Sequence, residues 1–128
     1  MRVQQCRKDE NARKRLERIL SGMAKSTVVV EGNHDKDVLA KLGIKSITFD
    51  ELLYSSARID TTKQVCIVMD DDESGWRKEE KVIALLLEKG NELEINVNLG
   101  KSLLKLLGVR AVEEILEPVR RINENTEK

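Results

Sequence analysis

Carboxylate side chains follow two apolar runs of this sequence, at the point where each run ends. Residues 65–69 lead directly into Asp70, Asp71 and Asp72, and residues 27–30 lead into Glu31. A short apolar run of this kind is typical of a buried strand. Neighbouring carboxylates repel one another, and a divalent cation such as Mg²⁺, which binds oxygen ligands, relieves that repulsion. The sequence therefore predicts a metal site where the two strands end.

The spacing of the acids suggests a role for each. In an extended segment Asp70 and Asp72 point to the same side, whereas Asp71 points away, so we expect Asp70 and Asp72 to be the metal ligands. Mg²⁺ takes one or two protein carboxylates and completes its shell with water and phosphate oxygens, and Mn²⁺ is the alternative ion. Glu31 is expected to serve as a further metal ligand or as a general acid or base.

Three more residues are expected to support this site. Gly32 and Gly75 follow the two acidic segments, where glycine permits close backbone approach or unusual dihedral angles. Asp35 lies four residues after Glu31 and is interpreted as a helix N-cap. A supporting role in the site is compatible with capping.

Basic residues follow Gly75 in the first turns of a predicted helix. One of Arg77, Lys78 and Lys81 is expected to neutralise phosphate charge. Alternation with Glu79 and Glu80 is equally typical of ordinary surface ion pairs.

Apolar runs and helical patterns alternate along the chain. The expected strands cover about residues 26–31, 44–49 and 64–69, and an alternating run near 93–99 predicts an edge strand. Helices are expected near 9–23, 35–42, 50–54, 74–89, 101–107 and 109–122, with a break or kink at Pro118. This alternation predicts an α/β fold with a parallel four-stranded sheet and helices on both faces. The strand order 2-1-3-4 would bring the acids of strands one and three together.

Three regions are expected within one domain of 128 residues. Residues 1–25 form a basic helical arm, 26–100 the α/β domain and 101–128 a helical extension packed on it. The arm holds eight Lys or Arg and three Asp or Glu, a charge of +5, and the rest of this neutral chain carries −5. Such asymmetry is typical of proteins with phosphate-bearing partners, although an amphipathic helix that docks on the domain is the alternative.

Several classes of protein are excluded by composition. No apolar run approaches 18 residues and the first 20 residues are basic and polar, so we expect no membrane partner and a cytoplasmic protein. The two cysteines, Cys6 and Cys66, cannot form a disulfide framework. Cys66 is interpreted as a small buried apolar residue.

The acidic segments carry a resemblance to a known family. Glu31-Gly32 with Asp35, followed later by Asp70-x-Asp72 with a glycine three residues on, resembles the motif pair of the Toprim domain. Topoisomerases, bacterial primases, OLD-family nucleases and the ribonuclease M5 group, which matures 5S ribosomal RNA, share this domain. The resemblance covers about residues 26–100 and implies a Toprim (Rossmann-like) fold. It also implies that Glu31 is the general acid or base and that Asp70 and Asp72 bind the metal.

The resemblance favours some family activities over others. Many members have proline where this chain has Asp71. Tyr54 is the only tyrosine and lies in a short helical segment, which argues against a topoisomerase, and no cysteine cluster exists for the zinc-binding domain of a primase. The chain is most similar to the small stand-alone Toprim proteins of archaea, described as ribonuclease M5-like. The prediction is a Mg²⁺-dependent nuclease that acts on RNA or DNA.

Two alternatives stay open. The chain could be a non-catalytic Toprim module that binds metal and RNA or a protein partner, or that forms a homodimer, within a larger assembly. A receiver-like or small-molecule phosphatase fold also has an acid-tipped parallel sheet. Those proteins place an aspartate and a lysine at other strand ends, where the last strand of this chain has Asn96 and Asn98.

Overall fold

A computed structural model describes residues 2–54, 64–89 and 93–126 of the chain. The elements follow in the order α1 (Arg2–Ala24), β1 (Thr27–Val30), α2 (Asn33–Ala40), β2 (Ser46–Thr48), α3 (Phe49–Tyr54), β3 (Val65–Ile67), α4 (Glu73–Lys89), β4 (Ile95–Asn96), α5 (Asn98–Leu107), a 3-10 turn (Val112–Glu114) and α6 (Leu116–Thr126). The sequence also predicts an unpatterned connection over 55–63 and a helix stop at Gly90, and both lie outside the described residues.

The four strands form one parallel sheet in the order β2-β1-β3-β4. Val28 of β1 pairs with Ser46 on one side and with Cys66 on the other, and Val65 pairs with Ile95. The α/β class, the strand order and the edge position of the last strand are therefore confirmed. The strand ends that precede Glu31 and Asp70 belong to the two central strands, which are direct neighbours.

The core consists of two apolar layers, one on each face of the sheet. Side chains of β1 and β3 alternate between the layers, because successive residues of a strand point to opposite faces. Val28, Val30 and Val68 face a layer formed with α1, α2, α5 and α6, whereas Val29 and Ile67 face a layer formed with α3 and α4. Helices thus cover both faces, as buried parallel strands require.

The basic arm is a long helix that packs on the domain. α1 contacts α5, α6 and β1, and Leu16, Ile19 and Met23 are buried in that interface. The helix begins at Arg2 and is thus longer than the predicted 9–23. Its apolar stripe docks on the domain, while basic residues such as Arg15 and Arg18 stay exposed.

Cys66 lies at the centre of β3 and is fully buried. Burial raises the pKa of its thiol to about 11, so the thiol stays protonated near neutral pH. The interpretation of Cys66 as a small buried apolar residue is confirmed.

The last strand is much shorter than its alternating pattern predicts. β4 covers only Ile95 and Asn96, and α5 begins at Asn98. The side-chain oxygen of Asn96 accepts hydrogen bonds from the backbone N–H groups of Asn98 (2.8 Å) and Leu99 (2.9 Å). Asparagine competes in this way with a strand's backbone hydrogen bonds, and here its bonds start the helix.

The expected helix over 109–122 is two elements. The 3-10 turn ends at Glu114 and α6 begins at Leu116, so the break precedes Pro118. Pro118 lies in the first turn of α6, where backbone N–H groups have no partner within the helix. The N–H that proline lacks is therefore not missed at this position. The expectation that the proline itself breaks the helix is therefore wrong.

Among the described residues, no helix is both long enough and apolar enough to span a membrane.

The packing of the C-terminal segment leads to a stability prediction. Ile115 is fully buried between the 3-10 turn and α6. Ile115→Ala should lower the free energy of unfolding by about 2–5 kcal/mol, because it removes apolar contacts and leaves a cavity. Urea denaturation followed by circular dichroism measures the change.

The neighbouring exposed residue provides the control. Glu114→Ala should change the unfolding free energy by less than about 0.5 kcal/mol. Equal stabilities of Ile115→Ala and the natural chain would show that the C-terminal segment contributes nothing to the core.

Candidate functional site

The carboxyl ends of β1 and β3 bring Glu31 and Asp70 to the same edge of the sheet. The backbone N–H of Val68 donates to the carbonyl of Val29 (2.9 Å), so the two strands stay paired almost to their acidic ends. Glu31 and Asp70 are both half-buried. The two acids that the sequence places after separate apolar runs are therefore neighbours at this edge.

Asp70 is held by a segment far along the chain. Its Oδ1 atom accepts a hydrogen bond from the backbone N–H of Val112 (2.8 Å). Burial is the largest cause of a raised pKa for this carboxyl, and the negative charges of Glu31, Asp72 and Glu113 add to it, while the Val112 hydrogen bond opposes it. Asp70 thus lies in a place where its negative charge is poorly stabilised.

Asp72 has a structural role at the start of α4. Its Oδ1 atom accepts a hydrogen bond from the backbone N–H of Gly75 (2.7 Å), and its carbonyl accepts one from the backbone N–H of Trp76 (2.9 Å). A carboxylate that accepts from the third residue of a helix is an N-cap. Asp72, predicted as a metal ligand, therefore also caps α4.

Gly75 is required by close packing. A Cβ atom at this position would lie 1.9 Å from the carbonyl oxygen of Asp70, a distance that no side chain can occupy. The expectation of close backbone approach at Gly75 is confirmed. At Gly32 a Cβ atom would meet nothing within 4 Å and φ is −146°, so the expectation of close approach or an unusual dihedral angle there is wrong.

Asp35 lies in the first turn of α2 and does not cap it. The helix begins two residues earlier, with Gly32 at the N-cap position and the N–H of Lys36 bonded to the carbonyl of Gly32 (3.1 Å). The N-cap interpretation is therefore wrong. Burial raises the pKa of Asp35, and the negative charges of Asp70 and Glu31 raise it further. The structure thus adds Asp35 to the group of mutually repelling acids.

Glu31 forms an ion pair with Lys78. The Lys78 Nζ atom donates to Oε1 of Glu31, and each side chain is about one third exposed, at 34% and 32%. The pair joins the end of β1 to the second turn of α4. Of the three basic residues predicted to bind phosphate, Lys78 is the one bonded to an acid of the group.

The other two basic residues lie farther out in an open groove of about 550 Å³. Arg77 donates to Glu73 one turn before it (2.6 Å), and both side chains are largely exposed. Lys81 lines the same groove and is exposed. The groove is lined by Asp72, Glu73, Ser74, Arg77, Lys78 and Lys81.

Sequence reasoning missed the part of the site that the C-terminal segment supplies. Besides the Val112 N–H, the carbonyl of Arg110 accepts a hydrogen bond from the N–H of Asp71 (2.7 Å). Glu113 lies near enough to Asp70 and Asp35 to raise the pKa of both, and it lies 3.5 Å from Nε2 of His34. No local pattern could reveal these contacts, since backbone groups carry no sequence signature and Glu113 lies in an ordinary amphipathic segment.

Trp76 and Asp71 form a contact at the rim of the site. The indole Nε1 atom donates to Oδ1 of Asp71 (2.9 Å), and Trp76 as a whole is 47% exposed. Asp71, which is expected to point away from the ligand pair, therefore orients the aromatic ring.

The residues fit a hard divalent cation in their chemistry. Glu31, Asp70 and Asp72 offer only carboxylate oxygens, and Asp70 and Asp72 each have one oxygen oriented by a backbone N–H. In the described part of the chain, no three His, Cys, Asp or Glu side chains are arranged to coordinate an ion together. A Mg²⁺ ion would therefore be held by one or two carboxylates, with water and phosphate oxygens as its other ligands.

Comparison with the known protein families finds no match, and comparison with curated proteins finds none either. Among solved structures, the chain is similar to a protein from Aquifex aeolicus, with 24% sequence identity and a TM-score of 0.61. The similarity covers 80% of this chain and 95% of that one. At this level of identity the comparison supports the fold alone.

Substitution separates the capping hydrogen bond of Asp72 from its charge. Asp72→Ala removes the cap of α4 and should lower the free energy of unfolding by about 1 kcal/mol, whereas Asp72→Asn keeps a good cap and should cost less than half as much. Urea denaturation in the presence of a chelator measures both. Equal losses for the two variants would show that the charge of Asp72, not its hydrogen bond, stabilises the helix.

The raised pKa of Asp70 predicts how stability depends on pH. The folded protein holds this proton to higher pH than the unfolded chain does, so stability falls as pH rises from 3.8 through the raised pKa. Asp70→Asn removes the charge and can keep the Val112 hydrogen bond. Without divalent ions, this variant should be more stable than the natural chain at pH 7 and should lose less stability between pH 4 and 7.

Asp37→Asn, a change at an exposed aspartate of α2, is the control and should leave the pH profile unaltered. Parallel profiles for Asp70→Asn and the natural chain would contradict the assignment of the charge repulsion to Asp70.

Proposed function

We propose that this protein is a Mg²⁺-dependent phosphoryl-transfer protein that acts on nucleic acid, a small cytoplasmic nuclease resembling ribonuclease M5. The observation that carries the proposal is the convergence of Glu31, Asp35 and Asp70 at the carboxyl edge of β1 and β3, where burial and like charge raise the pKa of Asp70. Ligands of parallel α/β sheets bind at this edge. The Toprim resemblance supports the same conclusion, since its motif acids are among these residues.

The roles of the residues follow from their positions. Asp70 and Asp72 would hold Mg²⁺, or Mn²⁺ in its place, through their carboxylate oxygens, and in each residue one oxygen also accepts a backbone N–H. An ion held there would supply positive charge to the phosphate oxygens of the substrate. Glu31 takes the proton of an attacking water or returns one to the leaving oxygen. The groove beside Asp72 receives the adjoining nucleic-acid backbone.

The exposed basic residues of α1 are a second candidate surface for a phosphate backbone, on the face of the sheet opposite α4. Lys14, Arg15 and Arg18 are exposed on a helix that packs on the same face of the sheet as α2. Contacts between lysine or arginine and phosphate give affinity without sequence preference and weaken with salt. This arrangement favours binding of a nucleic-acid backbone over recognition of particular bases.

A second candidate function is a non-catalytic module that binds RNA or a protein partner. One observation favours it: Asp70 and Asp72 both accept hydrogen bonds that stabilise the fold without any metal. RNA binding that requires Lys14, Arg15 and Arg18 but survives combined Asp70→Asn and Asp72→Asn substitution would support the module over the nuclease.

Cleavage assays distinguish the two. Structured RNA, single-stranded DNA and duplex DNA are incubated with Mg²⁺ or Mn²⁺ and the products are separated by electrophoresis. We expect cleavage of at least one substrate, with a rate lowered roughly 10²- to 10⁴-fold by Glu31→Gln because the proton-transferring group is lost.

Glu51→Gln is the matched control. Glu51 also pairs with a lysine, Lys36 (2.8 Å), and is similarly exposed at 37%, yet its carboxylate caps the start of α3 and lies outside the acidic group. This variant should cleave at the natural rate. Cleavage no faster with the natural chain than with Glu31→Gln, on all three substrates, would rule out the nuclease.

A further inference from the structure

The ion pair between Glu31 and Lys78 occupies the acid to which the proposed function assigns proton transfer. Lys78 reaches Glu31 across 47 residues of sequence, from a different element. Both side chains are about two thirds buried, so solvent screens the pair less than it screens a fully exposed one. The contact therefore belongs to the site and is not an incidental surface pair.

Lys78 differs from the other basic residues of the groove. Arg77 pairs with Glu73 on its own helix, at the outer side of α4. For Lys81 no ion pair exists with any described residue, although it lies one turn after Lys78 and lines the same groove. Lys78 alone among these three bonds to an acid at the strand ends.

A lysine ammonium and a divalent cation make conflicting demands on one carboxylate. Both bind its oxygens, and their positive charges repel each other at close range. Lysine is a point charge on a flexible stem, so it can leave the carboxylate without a backbone change. Each therefore weakens the binding of the other when both use Glu31.

We infer that Lys78 is a counter-ion which a divalent cation must displace from Glu31, so that this lysine sets the concentration of divalent ion at which the site fills. The inference rests on the proposed function, because it needs a cation among these acids. It takes Glu31 in the other role that the sequence predicts for it, that of a metal ligand. Lys78 thus becomes part of the proposed site: it opposes cation binding and keeps Glu31 paired while no cation is bound.

The test measures cation binding, separately from activity. The full chain is titrated with Mn²⁺ alone, and free Mn²⁺ is followed by electron paramagnetic resonance. Lys78→Met should bind Mn²⁺ roughly fivefold more tightly than the natural chain, because a partly shielded charge pair is worth about 1 kcal/mol. Lys78→Gln should give a similar gain, and circular dichroism establishes that each variant is folded.

Lys81→Met is the matched control, because it removes the same charge from the same helix and groove. Its Mn²⁺ affinity should stay within about twofold of the natural value, since its charge is more exposed and more strongly screened. An equal gain in Lys81→Met would show that net charge alone is responsible and would overturn the inference.

A double-mutant cycle tests whether Lys78 acts through Glu31. In the Glu31→Gln background, Lys78→Met should no longer improve Mn²⁺ binding, because the contested carboxylate is gone. A persistent gain would overturn the inference. Saturable Mn²⁺ binding with no gain in Lys78→Met or Lys78→Gln would overturn it and leave the proposed metal site intact, whereas absence of saturable binding in the natural chain and all variants would overturn both.

Discussion

The pairing of β1 with β3 determines where the two core layers and the acidic residues of the site lie. Both strands carry apolar side chains on both faces, such as Val28 and Val29 in β1 and Cys66 and Ile67 in β3, and all four are buried. Burying a side chain of this size stabilises the fold by about 1.5–3 kcal/mol, but only if helices cover both faces of the sheet. Because the strands are parallel, the same pairing places the residues after both strands at one edge.

That edge concentrates negative charge, and each of three acids there accepts a hydrogen bond from a different donor. A backbone N–H from the C-terminal segment binds Asp70, the N–H of Gly75 binds Asp72, and the ammonium of Lys78 binds Glu31. Asp70 still has a raised pKa, so these donors compensate its burial only in part. Residual repulsion of this kind is common at functional sites and is what a bound cation would relieve.

Much of the fold could be predicted from the sequence, because apolar periodicity reports burial directly. The central strands and their order follow from such patterns. The last strand was overestimated because Asn96 turns the chain into α5, and an alternating pattern does not record a side chain that bonds to backbone N–H groups. The prediction that Pro118 breaks a helix is wrong because the effect of a proline depends on where the helix starts. Here the chain passes through a 3-10 turn first, and the helix begins only two residues before Pro118.

The acids of the site could be predicted as well, since they directly follow strands. Their partners could not. The sequence does not distinguish Lys78 from Arg77 and Lys81. Only the packing of α4 shows that Lys78 is the one that reaches Glu31. Gly75 was expected to allow close approach, and the structure identifies the carbonyl of Asp70 as the group approached. The contribution of Arg110 and Val112 comes from backbone atoms, which any residue type would provide.

The hydrogen bond from Val112 to Asp70 also has a consequence for how the protein is made. The two residues are 42 positions apart, so on a ribosome that adds 5–20 residues per second the acid emerges roughly 2–8 seconds before its donor. During that interval the carboxylate cannot have its native surroundings, even if the first three strands have already paired. The acidic edge therefore matures after the first three strands are made, and those strands can pair before the site is complete.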